Sequence, residues 1–176
     1  MQHAFQRRKK TVTIIILIVW FIWSAGKDVD NLIRATGTTD YYIFSSNGLT
    51  PVFFFFAVAV TLLDAATVSY LFRPRPAGFY VALSALALSV IQSIISVSLA
   101  LSDLSGVRQA YAAGREARGL SVREEALDTI FTPEAMYLVL ALLVLINAVA
   151  AFLIVLNRDY FFSSNINSTT PPGVSI

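Results

Sequence analysis

One carboxylate stands where a carboxylate is costly. Asp64 interrupts the otherwise charge-free run from Pro51 to Phe72. At the centre of a spanning helix an acidic side chain costs roughly 2.5–3.5 kcal/mol on insertion scales. It must therefore face a helix bundle, a partner or water, or else carry a proton. The chemistry open to such a group is reversible binding of a proton or a cation. At about 1.5 Å of rise per residue, Asp64 lies ~13 Å from Arg73 and Asn147 ~16 Å from Arg158. Ser89 falls at a similar height, and Gln92 is one turn further out. The expected site is a polar seam of Asp64, Asn147, Ser89 and Gln92, hydrogen-bonded across helices.

A plainer reading makes Asp64 a protonated or hydrogen-bonded packing residue that fixes helix register. It is favoured by the lack of a second acid, a lysine partner or a proline-broken helix beside it. Ser89, Ser93 and Ser96, spaced by four and three, read as small-residue helix contacts rather than a pore lining. Leu62-Leu63-Asp64-Ala65 echoes Leu145-Ile146-Asn147-Ala148, which would make the two hairpins parallel repeats.

Other chemistry is scarce. The chain has no cysteine, which removes disulfides, thiolate metal sites and thiol catalysis. Its single histidine is His3, outside the apolar runs, so no histidine can ligate a haem inside a bundle. Glu124, Glu125 and Asp128 are the one acidic cluster, and they read as a solvated helix start that complements the helix dipole. No catalytic residue, metal site or cofactor is expected, and the chain reads as a non-enzyme.

Composition explains what must position the seam. Of 176 residues, 56% are hydrophobic and 14% charged, whereas soluble domains carry roughly 25% charged residues. Such a surface suits lipid better than water. Charge-free runs lie between Lys10 and Lys27, from Pro51 to Phe72 around Asp64, between Arg75 and Asp103, and between Glu134 and Arg158. A spanning helix needs about 20 residues, so the sequence predicts an all-α integral membrane protein, a four-transmembrane-helix bundle. The spans are 11–26, 51–72, 77–102 and 133–157. The first is short, so Lys10 and Lys27 should snorkel outward. A cleaved signal peptide is disfavoured, because a cut after Ala25 sets Trp23 where a small residue is required.

Local signals set the ends. Thr50 before Pro51, and Thr132 before Pro133, each offer a capping hydroxyl ahead of proline at the first helical position. Arg73-Pro74-Arg75-Pro76 stops the second span and demands a tight turn. Arg7, Arg8, Lys9 and Lys10 abut the first apolar run as a lipid-headgroup anchor. A nucleic-acid reader would instead spread its bases over a groove-facing surface. With Arg73, Arg75 and Arg158 they place both termini on the cytoplasmic side by the positive-inside rule, in a plasma (cell inner) membrane.

Two loops then lie outside. In the first, residues 27–50, Asp40, Tyr41, Tyr42 and Phe44 precede an Asn47-Gly48 turn. In the second, residues 103–132, Leu104, Val107, Tyr111 and Ala117 recur at helical spacing before Gly119. Ser121 and Glu124 there form a capping box for a second short helix. A helical cap with Tyr111 and Phe131 at its interface is expected. Residues 158–176 read as a disordered tail. The functional expectation is an accessory or structural subunit that packs against other membrane proteins or itself in the lipid bilayer. A small proton- or cation-coupled transporter using Asp64 is the alternative.

Overall fold

The computed structural model describes the backbone of residues 2–162 and the side chains of residues 12–162. Arg7, Arg8, Lys9 and Lys10, the expected headgroup anchor, lie on a helical backbone, with their side chains outside that range. Among the described residues there is no strand, and the chain runs α1 (Gln2–Ile33), a 3-10 turn (Ala35–Gly37), α2 (Thr39–Ser46), α3 (Thr50–Phe72), α4 (Pro76–Ala100), α5 (Leu104–Glu116), α6 (Glu124–Ile130), α7 (Pro133–Leu156) and α8 (Arg158–Phe162). Four of these are long and apolar enough to cross a membrane, over Val12–Ile33, Thr50–Phe72, Pro76–Ala100 and Pro133–Leu156. Helices suit such sequences because each satisfies its own backbone N–H and C=O groups.

The four long helices face one another along stripes spaced alternately by three and four residues, the spacing of a helix-packing seam. On α1 the stripe is Ile14, Leu17, Phe21, Ser24, Asp28 and Asn31; on α3 it is Phe53, Ala57, Val60, Asp64, Thr67 and Leu71. The α4 stripe runs Gly78, Ala82, Ala85, Ser89, Gln92 and Ser96, and that of α7 runs Leu143, Asn147, Ala150 and Ile154. The main interfaces join α1 to α3, α3 to α4 and α4 to α7.

Two apolar cores result. At the end bearing the 73–75 turn, the hairpin end, Leu17, Phe21, Leu71, Ala82, Ala85 and Ile154 pack together. At the opposite, capped end, Phe44, Phe53, Phe56, Ala100 and Val107 form a second cluster. Gly78 permits the tight α3–α4 hairpin, since a Cβ there would lie 2.5 Å from Tyr70 Cβ.

Several local expectations differ from the structure. Helix α1 does not end at Lys27. It continues to Ile33, supported by a Lys27–Asp28 pair at 3.5 Å and an Arg34–Asp30 ion pair of i,i+4 spacing at 2.8 Å. Lys27, Asp28 and Asp30 thus lie within the helix rather than at its boundary, and Arg34 follows its last turn. The loop that follows is itself folded: Thr38 caps α2 by accepting from the Tyr41 N–H at 3.2 Å, and Gly48 turns the chain at φ +71°. Thr132 caps α7 through the Ala135 N–H. Thr50, by contrast, is already inside α3, and Leu49 at the cap makes no side-chain bond.

The second loop forms the expected pair of short helices, α5 and α6. Asp103 caps α5 by accepting from the Gly106 N–H at 2.9 Å and from the Tyr42 hydroxyl at 2.9 Å. The Gly106 N–H above all, then the Tyr42 and Ser105 hydroxyls, hold the Asp103 carboxyl below its ordinary range. The Ser121–Glu124 capping box does not form, because Arg123 occupies the cap of α6 without a side-chain bond. Glu124 is taken instead by Arg108 at 2.5 Å, and Asp128 by the same guanidinium at 2.9 Å. Tyr111 and Phe131 do meet, with ring centroids 5.4 Å apart.

The expected disordered tail is helical at its start. Phe161 of α8 is fully buried, Tyr160 donates to the Leu71 carbonyl at 2.6 Å, and the Arg158 guanidinium lies 5.2 Å from the Phe162 ring centre. Aromatic burial against α4 outweighs the polar composition that follows. Residues 163–176 lie outside the described range.

Candidate functional site

The polar residues of the stripes gather between the two apolar cores. Asp64 is only 3% exposed, held between Val60 and Thr67 on the inner face of α3. The Ser24 hydroxyl of α1 meets its carboxyl, and the charges of Asp28 and Lys27 act on it. Among the described residues no hydrogen bond joins Asp64 to Asn147, Ser89 or Gln92. Asn147 turns its amide to the Leu143 carbonyl of its own helix at 2.8 Å. The reason is lateral order: α3 packs on α1 and α4, whereas α7 packs on α4. Equal depth does not bring Asp64 and Asn147 together.

Ser89 and Gln92 do share a site, with residues the sequence reading missed. They line a cavity of ≈ 250 Å³ together with Ser24, Lys27, Asp28 and Asn31 of α1 and Asp40 of α2. Ser93 and Ser96 complete the α4 wall, so these serines border a cavity rather than only a helix contact. Ser93 also donates to the Ser89 carbonyl at 2.9 Å. The signal that would have found the α1 residues is the spacing 14, 17, 21, 24, 28, 31, which runs past Lys27 without a break.

Charge in this cavity is mixed. Lys27 Nζ lies 3.5 Å from Asp28 Oδ1, with the lysine side chain 55% exposed and the aspartate 15%. Asp40, half-buried at the first turn of α2, is pushed up by burial, and the Lys27 ammonium opposes that rise. Asn31 and Asp40 also border a wider pocket of ≈ 430 Å³ at the capped end, between Asp30, Arg34, Tyr111 and Arg118. The polar groups thus succeed one another from the capped end through Asn31 and Asp40 to Ser24 and Asp64. Toward the hairpin end the route stops at Leu17, Phe21, Ala85 and Ile154.

Chemically, this arrangement can hold water and cations at carboxylates and exchange protons. Among the described residues no group of three or more His, Cys, Asp or Glu side chains is placed to hold a metal ion. Glu124 and Asp128 are engaged by Arg108 in the cap, away from this layer.

The lack of cysteine in the chain makes water access directly measurable. With single cysteines introduced in detergent-solubilised protein, Ser24→Cys and Ser96→Cys should react with a charged thiosulfonate at least about tenfold faster than Ala85→Cys, since modification follows exposure and thiolate character. Equal rates at all three positions would contradict a wet layer above a dry core.

Compared with protein-family models, with curated proteins and with solved structures, the chain matches none.

Proposed function

We propose that this chain is a small, non-enzymatic membrane protein that admits cations from the outer side to an intramembrane carboxylate layer, as a proton- or cation-coupled transporter or channel does. The observation that carries this reading is the cavity between the cores, which shares Asn31 and Asp40 with the wider pocket at the capped end. A packing role for Asp64 alone would call for neither the cavity nor the two acids that line it, Asp28 and Asp40. The basic residues Arg73, Arg75 and Arg158 flank the hairpin end, which supports a cytoplasmic side for that end and both termini by the positive-inside rule. The capped end then faces outward, in a plasma (cell inner) membrane.

A second reading, an accessory subunit, draws support from α7. It packs chiefly on α4 and leaves Leu138, Leu142, Leu145 and Phe152 exposed along its length. A partner helix, or a second copy, would find a continuous apolar face there.

The two readings part in proteoliposomes. Purified protein alone should support proton or alkali-cation flux above that of empty vesicles when driven from the side bearing the capped end. Flux indistinguishable from empty vesicles, combined with a stoichiometric membrane partner on mild-detergent purification, would replace the transport reading with the subunit reading.

A further inference from the structure

The cavity has two chemically different walls. One is built by nine polar side chains, among them the carboxylates of Asp28 and Asp40 and the Gln92 amide, with Ile43, Val60 and Val97 between them. The other, where α7 lines the space, is hydrocarbon and thioether: Met136, Val139 and Leu143. A bare or hydrated metal ion uses only the first wall. Water takes about 30 Å³ per molecule in the liquid, so ≈ 250 Å³ is far more space than a dehydrated inorganic cation needs. A hydrated ion would fill the space and meet the nine polar side chains, but it would set part of its water shell against Met136, Val139 and Leu143, which offer no oxygen or nitrogen. Ligand sites pair apolar surface with polar groups that fix orientation; here the side chains from α1 are all polar and those from α7 all apolar, which suits a ligand with a charged end and a hydrocarbon end.

The charge balance selects the sign of the ligand. Lys27 is placed against Asp28, which leaves one carboxylate in excess, on Asp40. Asp40 sits where the cavity meets the outer pocket. An ammonium at Asp40 would direct an attached chain of a few carbons inward along Val139 and Leu143.

We infer that the cavity is a binding site for a small amphipathic organic cation, a primary alkylammonium of roughly four to six carbons, with its ammonium at Asp40 and its hydrocarbon on the α7 wall. The inference rests on the reading of the cavity as a cation-admitting site and names its substrate class. It also gives the α7 wall a role that proton or metal-ion passage would not require. Met136, unbranched and polarisable, adapts to chains of different shape.

The test uses the full chain in detergent and the series methylammonium to hexylammonium, added as chloride salts at constant ionic strength. Both tryptophans of the chain, Trp20 and Trp23, sit on α1 within two turns of Lys27, with ring centroids 5.9 Å apart, and their fluorescence reports occupancy. Saturable binding should tighten about fourfold per added methylene, up to the length that covers the wall. Asp40→Asn should weaken butylammonium about 10- to 100-fold, the range for loss of a charged hydrogen-bond partner. Leu143→Ala, which leaves every charge in place, should move the best chain length up by one or two carbons. That shift cannot arise from misfolding.

Butanol or norvaline binding as tightly as butylammonium would overturn the organic-cation reading, the first on charge and the second on the need for a net positive ligand. Absence of saturable alkylammonium binding in a protein that still conducts protons or alkali cations would overturn this inference and leave the proposed function standing. Absence of both binding and flux would remove both.

Discussion

Asp64→Asn is expected to cut cation flux in proteoliposomes by roughly 10- to 100-fold, the worth of one charged interaction, while the protein still folds and inserts. Asparagine keeps the shape of the side chain and can still meet the Ser24 hydroxyl beside Asp64. It removes only the ability to ionise. A carboxylate placed 3% exposed inside a bundle otherwise works against insertion, at roughly 2.5–3.5 kcal/mol. If Asp64 served packing alone, asparagine would be neutral or stabilising and flux would be unchanged. The measurement is flux per incorporated protein, paired with detergent stability of the same preparation. Unchanged flux in a stable variant would sink the role assigned to this residue. Lost flux together with lost stability would call for Ser24→Ala, which disturbs the same contact without touching the charge and should leave most of the flux.

Phe161→Ala is expected to destabilise the bundle by about 3–5 kcal/mol, the usual cost of truncating a buried aromatic side chain. Phe161 is 0% exposed, and its ring lies 6.1 Å from that of Phe79 in an edge-on arrangement. Its Cδ1 would be 3.3 Å from a Cβ on Gly78. Removing the ring opens space where α3, α4 and α8 converge, beside the Tyr160–Leu71 bond that fixes α8. Denaturant or steric-trap unfolding in micelles would read the loss directly. Phe162→Ala is the comparator: its side chain is only partly buried and should cost less. A Phe161→Ala effect as small as that of Phe162→Ala would mean that α8 is not docked as described.

These two residues also mark how far the sequence could be read. The long helices were legible because absence of charge over some twenty residues is a direct physical signal. The cap at Thr132 was legible because a hydroxyl before proline has one obvious use. Thr50 offered the same pattern and did not use it, since the turn at Gly48 brings Leu49 to the capping position instead. Ser89 and Gln92 were assigned to a polar site through their depth, and they border one. Asp64 and Asn147 share that depth but not a partner, because rise along an axis carries no information about which helices stand side by side. Lys27 obscured the rest: a charge after an apolar run looks like a boundary. Its pairing with Asp28, one residue on, is visible only in three dimensions. Phe161 was hidden by composition, as five aromatic and charged residues ahead of a polar tail give little periodic signal.

The seams on the four long helices have a geometric consequence for the cavity. Spacing that alternates three and four goes with crossings of about 20°. From Ala85 to Ser96 the axis climbs about 16 Å, over which a 20° crossing offsets two straight helices sideways by about 6 Å and lengthens an axis separation of about 9 Å by only about 2 Å. The space at Ser96 is thus set in part by how closely the helices meet below, where Gly78, Ala82 and Ala85 keep them near. A larger side chain at Gly78, Ala82 or Ala85 would push the axes apart along their shared length, Ser96 included, so the apolar core at the hairpin end acts as the ruler by which the polar layer is measured.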